Sequence, residues 1–207
     1  MSVDYTLYLV TDRGVLKGRD LMESVEKSIK GGVTLVQLRE KDITSLDFYN
    51  IALKLKALTR FYNIPLIIND RLDIALAVDA EGLHIGQEDL PLEVARKQLG
   101  DGKILGYSVS NIEEALYGEK HGADYLGVGP VYATGSKSDA GRPIGIQGLK
   151  EIKQNVSIPI VGIGGIGISN IKEVKASGIN GVSLISAVLG SDDIEEASRN
   201  LVKLWEE

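Results

Sequence analysis

Eight short apolar runs rich in β-branched residues recur along this chain, with longer helical patterns between them. They are "TLYLVTD" (6–12), "TLVQLRE" (34–40), "PLIIND" (65–70), "GLHIG" (82–86), "ILGYSV" (104–109), "DYLGVGPV" (124–131), "PIVGIGG" (159–165) and "GVSLISAV" (181–188). Runs of that length suit strands, while Asp20–Lys30, Ser45–Tyr62, Asn111–Lys120 and Ser169–Ala176 suit helices. Leu46, Tyr49, Leu53, Leu55 and Leu58 carry the helical period through the second of these. "SDDIEEASRNLVKLWEE" opens on serine and acids, as an N-cap and the helix dipole favour. "GGVTLVQL", "HGADYLGV" and "SGINGVSLI" each set a helix-ending glycine just before a strand. No linker, low-complexity tract or shift in composition interrupts the series. The alternation therefore predicts an α/β fold in one domain over 1–207, a parallel eight-stranded (β/α)8 TIM barrel. A doubly wound open sheet is the alternative, and the thinnest point is "DIALAVDAEGLHIG", which has room for only a short helix.

In such a barrel the outward face of every strand meets helices and must be apolar. In "VQLREKD" (36–42), Val36 and Leu38 meet that need, which turns Gln37, Arg39 and Lys41 inward near the end of the strand. Two cations converging there are costly to desolvate unless an anionic ligand or nearby carboxylates face them. On a half-exposed strand the same trio would simply be wet.

The chemistry of these barrels sits where strands end and loops begin. "PLIIND" ends on Asn69 and Asp70, and "GLHIGQEDLP" brings Gln87, Glu88 and Asp89 after the fourth strand. Asp70 and Asp89 each suit a helix cap, since proline is at ease in a first helical turn. As a pair beside an Arg/Lys cluster they also suit Mg2+, which takes a couple of carboxylates together with water and ligand phosphate. Ser108 is placed for ligand contact, and Ser110 for capping the helix that follows. With only His84, inside the fourth strand, and His121, at a helix end, the chain argues against a histidine metal site. The segment "GPVYATGSKSDAGRPIG" (129–145) reads either as a surface loop or as a lid, with Thr134, Ser136 and Lys137 available to a phosphate. "VGIGGIG" (161–167) and "SLISAV" (183–188) suit a phosphate held by backbone N–H groups, although the glycines alone would also make a tight turn.

The net charge of −6 and pI near 5.1 argue against non-specific nucleic-acid binding. Without cysteine there are neither disulfides nor thiolate ligands or nucleophiles. The first residues carry no pattern of a secretory signal, and no apolar run approaches the roughly 20 residues of a membrane helix. A cytoplasmic protein with small-molecule partners is expected, and a homo-oligomer is left open. Metal-binding carboxylates, a cationic wall and a separate phosphate cradle suit the joining of two phosphorylated molecules, one with a diphosphate leaving group.

In "LYLVTD", "VQLREK", "IINDRLDIALAVDAEGLHIGQEDLP", "GADYLGVGPVYATGSK", "VGIGGI" and "VSLISAV", taken in order, the chain resembles the thiamine phosphate synthase family over nearly its whole length. The resemblance implies a transferase coupling 4-amino-2-methyl-5-pyrimidinylmethyl diphosphate with a thiazole phosphate, or its carboxylated form, to give thiamine phosphate and pyrophosphate. It implies that Gln37, Arg39, Lys41 and Asn69 meet the pyrimidine substrate, and that Asp70 and Asp89 bind Mg2+. Ser108 falls on the pyrimidine side and Lys137 on the diphosphate. Thr134 and Ser136 face the thiazole, whose phosphate is held through Gly165, Ile185 and Ser186. The implied chemistry is dissociative: Arg39, Lys41, Lys137 and Mg2+ steady the leaving group, and closure of 132–141 excludes water. "YATGSK" stands where the family pattern leads one to expect "PTGTK", so Ala133 loosens that turn while Ser136 keeps the hydroxyl. The rivals are a thiazole tautomerase, which needs no diphosphate site, and a non-catalytic sensor of phosphorylated ligands, which needs no metal carboxylates.

Overall fold

The computed structural model describes residues 3–135 and 141–207. Eight parallel strands close into a barrel in sequence order, with β8 returning to β1. The first half runs β1 (Leu7–Val10), α1 (Arg13–Leu16), α2 (Leu21–Lys30), β2 (Leu35–Leu38), α3 (Ser45–Phe61), β3 (Leu66–Asn69), α4 (Leu72–Ala77), β4 (Gly82–Ile85) and α5 (Leu92–Leu99). The second half runs β5 (Ile104–Val109), α6 (Ile112–Lys120), β6 (Tyr125–Val128), α7 (Gly145–Asn155), β7 (Ile160–Ile163), α8 (Ile171–Lys175), β8 (Gly181–Leu184), α9 (Ser186–Leu189) and α10 (Ile194–Glu206). The expected closed barrel is therefore what forms, and α4, with six residues, is short as anticipated.

Alternation along each strand splits the core in two. Outward residues such as Leu7, Leu9, Val36, Leu38, Leu66 and Ile68 are fully buried against the helices. Inward residues Tyr8, Leu35, Ile67, Tyr125 and Val161 plug the barrel. Each fully buried aliphatic side chain is worth about 1.5–3 kcal/mol, so the outer layer supplies most of the drive to close the ring. The helices start where short polar side chains catch free N–H groups. Asp20 accepts from Glu23 N at 2.8 Å, Thr44 from Asp47 N at 3.1 Å and Asp193 from Glu196 N at 2.9 Å.

Most strands end sooner than the sequence suggests. β2 stops at Leu38, so Arg39 and Lys41 stand on the chain leaving the strand. β8 stops at Leu184, and the short helix α9 (Ser186–Leu189) takes up 186–188, which were expected as strand. The cap of α6 is Asn111, whose side chain accepts from Glu114 N, rather than Ser110. Ser110, one residue before the cap, instead donates from both its N and its Oγ to Glu114 Oε2.

Candidate functional site

A cavity of about 470 Å³ opens where the strands end. Gln37, Arg39, Lys41, Asn69, Asp70, Asp89, Ser108, Thr134, Gly165, Ile185 and Ser186 all line it, although they span most of the chain. Ser136 and Lys137 lie outside the described residues.

Arg39 is mostly buried, and its Nη1 lies 3.3 Å from Asp12 Oδ2. Asp12 follows β1 and also caps α1 through Val15 N. A carboxylate thus offsets part of the cost of burying this guanidinium, and Lys41 remains exposed at the mouth. Thr11 Oγ1 fixes the backbone beneath by accepting from Arg39 N at 3.0 Å.

Neither aspartate caps a helix. The residue preceding α4 is Arg71 and that preceding α5 is Pro91, and no side chain caps either helix. Asp70 takes a left-handed backbone, φ 61°, a conformation that aspartate tolerates better than most residues. Its N–H donates to His84 O at 2.8 Å, which anchors the turn to β4. Asp89 Oδ2 accepts from Gly86 N at 2.7 Å. Burial and the neighbouring Asp89 push the Asp70 carboxyl up from 3.8 to about 6, against the pull of Lys41 and Asn69. A divalent cation would relieve the charge that Asp89 sets against Asp70, and Mg2+ can make do with a couple of protein carboxylates. Among the described residues no group of three or more such side chains is arranged to hold a metal.

On the opposite wall, Gly165 has φ 65°, and a Cβ there would lie 2.6 Å from Ala133 O. The loop after β6 is drawn onto β7 by Val131 N donating to Ile163 O at 2.8 Å and Tyr132 N to Gly164 O at 3.0 Å. Glycine at 165 therefore lets the loops after β6 and β7 close on each other, with the start of α9 lining the same cavity.

Among the lining residues, Tyr8, Tyr125 and Ser183 went unread in the sequence, and His84 was weighed only as a metal ligand. Tyr8, Tyr125 and His84 project into the barrel and bond to one another, as Tyr8 OH to Tyr125 OH at 2.8 Å and Tyr125 OH to His84 Nδ1 at 2.8 Å. Ser183, on β8, is buried, and its Oγ finds no hydrogen-bond partner among the described residues. Inward alternation from Ile185 would have pointed to Ser183, but nothing local in the sequence signals the aromatic pair.

A closed barrel with cations, paired carboxylates and glycine-lined loops gathered at its C-terminal rim defines a barrel enzyme of small phosphorylated substrates by its class of site. Residues 7–188 match the family described as thiamine monophosphate synthase. The thiamine-phosphate synthase of Clostridium novyi (strain NT) is 55% identical over 204 residues, covering 99% of this chain and 100% of that protein. That of Desulfitobacterium hafniense (strain DSM 10664 / DCB-2) is 58% identical over 205 residues, 99% of each. The solved thiamine phosphate pyrophosphorylase from Pyrococcus furiosus superimposes with a TM-score of 0.90 at 42% identity, covering 99% of this chain and 96% of that one. This chain belongs to the thiamine monophosphate synthase family.

Proposed function

We propose that the cavity joins 4-amino-2-methyl-5-pyrimidinylmethyl diphosphate to a thiazole phosphate, releasing pyrophosphate and thiamine phosphate. The family supports the overall reaction, and the assignment of residues rests on the placement of Asp70 and Asp89 beside Arg39 and Lys41 on one rim. Gln37, Asn69 and Ser108 take the aminopyrimidine, with Arg39 and Lys41 toward its diphosphate. Thr134 and Ser136 face the thiazole, and backbone groups of Gly165, Ile185 and Ser186 hold its phosphate. Asp70 and Asp89 are the residues that would hold Mg2+, which supplies positive charge to the diphosphate. The chain needs no nucleophile of its own. Arg39 and Lys41, with Lys137 from the loop, compensate the charge of the departing group. The close-packed loops after β6 and β7 keep water from the activated pyrimidine carbon while the thiazole nitrogen attacks. A cytoplasmic setting fits these substrates, and no helix among the described residues is long and apolar enough to cross a membrane.

Purified protein mixed with both substrates and Mg2+ should release pyrophosphate in step with thiamine phosphate. Isomerisation of the thiazole without pyrophosphate would favour a tautomerase, and binding without any turnover a sensor.

A further inference from the structure

The buried aromatic pair is part of a longer hydrogen-bonded chain that crosses the barrel. Gln37 Nε2 donates to Tyr8 OH at 2.7 Å, Tyr8 OH meets Tyr125 OH at 2.8 Å, Tyr125 OH meets His84 Nδ1 at 2.8 Å, and His84 Nε2 meets Ser108 Oγ at 2.9 Å. Its two ends, Gln37 on β2 and Ser108 on β5, both line the cavity. The interior is shaped around it. A Cβ on Gly106 would lie 2.2 Å from Tyr125 Cζ and 2.4 Å from His84 Nδ1, and one on Gly127 3.0 Å from His84 Cε1. Tyr8, Tyr125, Gln37 and His84 are all buried, so the hydroxyls and ring nitrogens between the two ends find their partners within the protein.

Such a chain has one sense. A phenol has a single hydrogen to give. With Gln37 donating to Tyr8, every hydrogen along the chain finds an acceptor when Tyr8 gives to Tyr125 and Tyr125 gives to His84 Nδ1. The imidazole hydrogen is then on Nε2, and it is given to Ser108. Two functions are left over at the ends: the carbonyl oxygen of Gln37, an acceptor, and the hydroxyl hydrogen of Ser108, a donor. Burial holds both phenols well above their usual range, which keeps Tyr8 and Tyr125 neutral donors.

We infer that Tyr8, Tyr125 and His84 are positioning residues that fix the hydrogen-bond polarity of the pocket, so that Gln37 accepts from an exocyclic amine while Ser108 donates to a ring nitrogen. The inference deepens the assignment of this wall to the aminopyrimidine and rests on it. A pyrimidine with an oxo group in place of the amine presents an acceptor where Gln37 already presents one. Restoring the match requires every member of the chain to turn over together, with the hydrogen moved to His84 Nδ1. Selection against the oxo analogue thus comes from residues that act through Gln37 and Ser108.

Two measurements test this. The first is 15N–1H correlation on full-length protein labelled at histidine, with His121→Gln to tell the two rings apart. Hydrogen on His84 Nε2 and none on Nδ1 is expected; hydrogen on Nδ1 reverses the chain and overturns the inference. The second compares kcat/KM for the 4-amino substrate and its 4-oxo analogue in unsubstituted enzyme and in Tyr125→Phe, which keeps the ring and removes the connecting hydroxyl. The amino preference should fall about tenfold or more, with KM for the thiazole phosphate within about twofold. If Tyr125→Phe does not fold, Tyr8→Phe, which releases the Gln37 amide, is expected to lose the preference in the same way. An undiminished preference in a folded variant overturns the inference. If the unsubstituted enzyme releases no pyrophosphate, the reaction itself has been misread; the tautomer measurement needs no turnover and keeps that failure separate.

Discussion

Asp70 combines a left-handed backbone with partial burial and a carboxylate neighbour, and the last two make its charge harder to hold. Its carboxyl is raised to about 6 from 3.8, so the folded state keeps the proton where the unfolded chain has lost it. The stabilisation is complete below the unfolded value and is lost as pH rises through about 6. A divalent ion held by Asp70 and Asp89, as proposed, would replace that proton. Mg2+ should therefore raise Tm clearly at about pH 7.5 and little at about pH 5. Asp70→Asn should abolish the gain, and a gain of equal size at both pH values would refute the pairing. Ser183 is expected to show opposite signs in the empty and liganded protein. Its buried hydroxyl is unpaired among the described residues, so Ser183→Ala should leave the empty protein equally stable or about 1 kcal/mol more stable. If a substrate atom normally meets that hydroxyl, the same variant shows a smaller ligand-induced rise in Tm. At this scale Gln37 and Arg39 are legible because alternation with Val36 and Leu38 gives their direction. Tyr8 and Tyr125 are not, because their pairing is made across the barrel by residues 117 apart in sequence.

Loops after β6 and β7 meet through backbone groups, which makes Gly165 the most exacting position among these elements. Alanine there must accept φ 65° and a Cβ 2.6 Å from Ala133 O. Gly165→Ala should lose roughly 1–2 kcal/mol of stability. By pushing the loop of Thr134 away from the cavity it should also raise KM for the thiazole phosphate several-fold, leaving KM for the pyrimidine substrate nearly unchanged. Steady-state kinetics with each substrate varied in turn separates the two. Elements were legible where period and cap agree: Ser45–Tyr62 was expected, and Ser45–Phe61 forms behind the Thr44 cap. They were less legible at strand ends. "SLISAV" carries Leu184, Ile185 and Val188 and reads as strand, yet the ladder with β1 runs only as far as Leu184 and the chain turns into α9. Local propensity cannot report where the ring of partners runs out.

The whole barrel separates a rim that binds from an opposite end that holds the ring together, and Arg96 is the clearest case of the second. Leaving α5, its guanidinium donates to the carbonyls of Gly100 at 2.8 Å, Lys103 at 2.9 Å and Gly122 at 2.9 Å, and to Asp124 Oδ2 at 2.5 Å. Asp124 Oδ2 accepts in turn from Leu105 N at 2.7 Å. One side chain thus ties the end of α5 to the segments entering β5 and β6, on the side of the barrel away from the cavity. With only 15% of the Arg96 side chain exposed, alanine would leave several carbonyls and a carboxylate without their donor. A loss of about 2–4 kcal/mol in unfolding free energy is expected. None of these groups lines the cavity, so kcat and both KM values measured well below the lowered Tm should stay within about twofold of the unsubstituted enzyme. Urea unfolding with unchanged slope and an earlier midpoint would show that the fold is weakened and not reshaped. A fall in kcat matching the loss of stability would instead mean that the two ends of the barrel are coupled, so that the ring of strands transmits strain from its base to its rim.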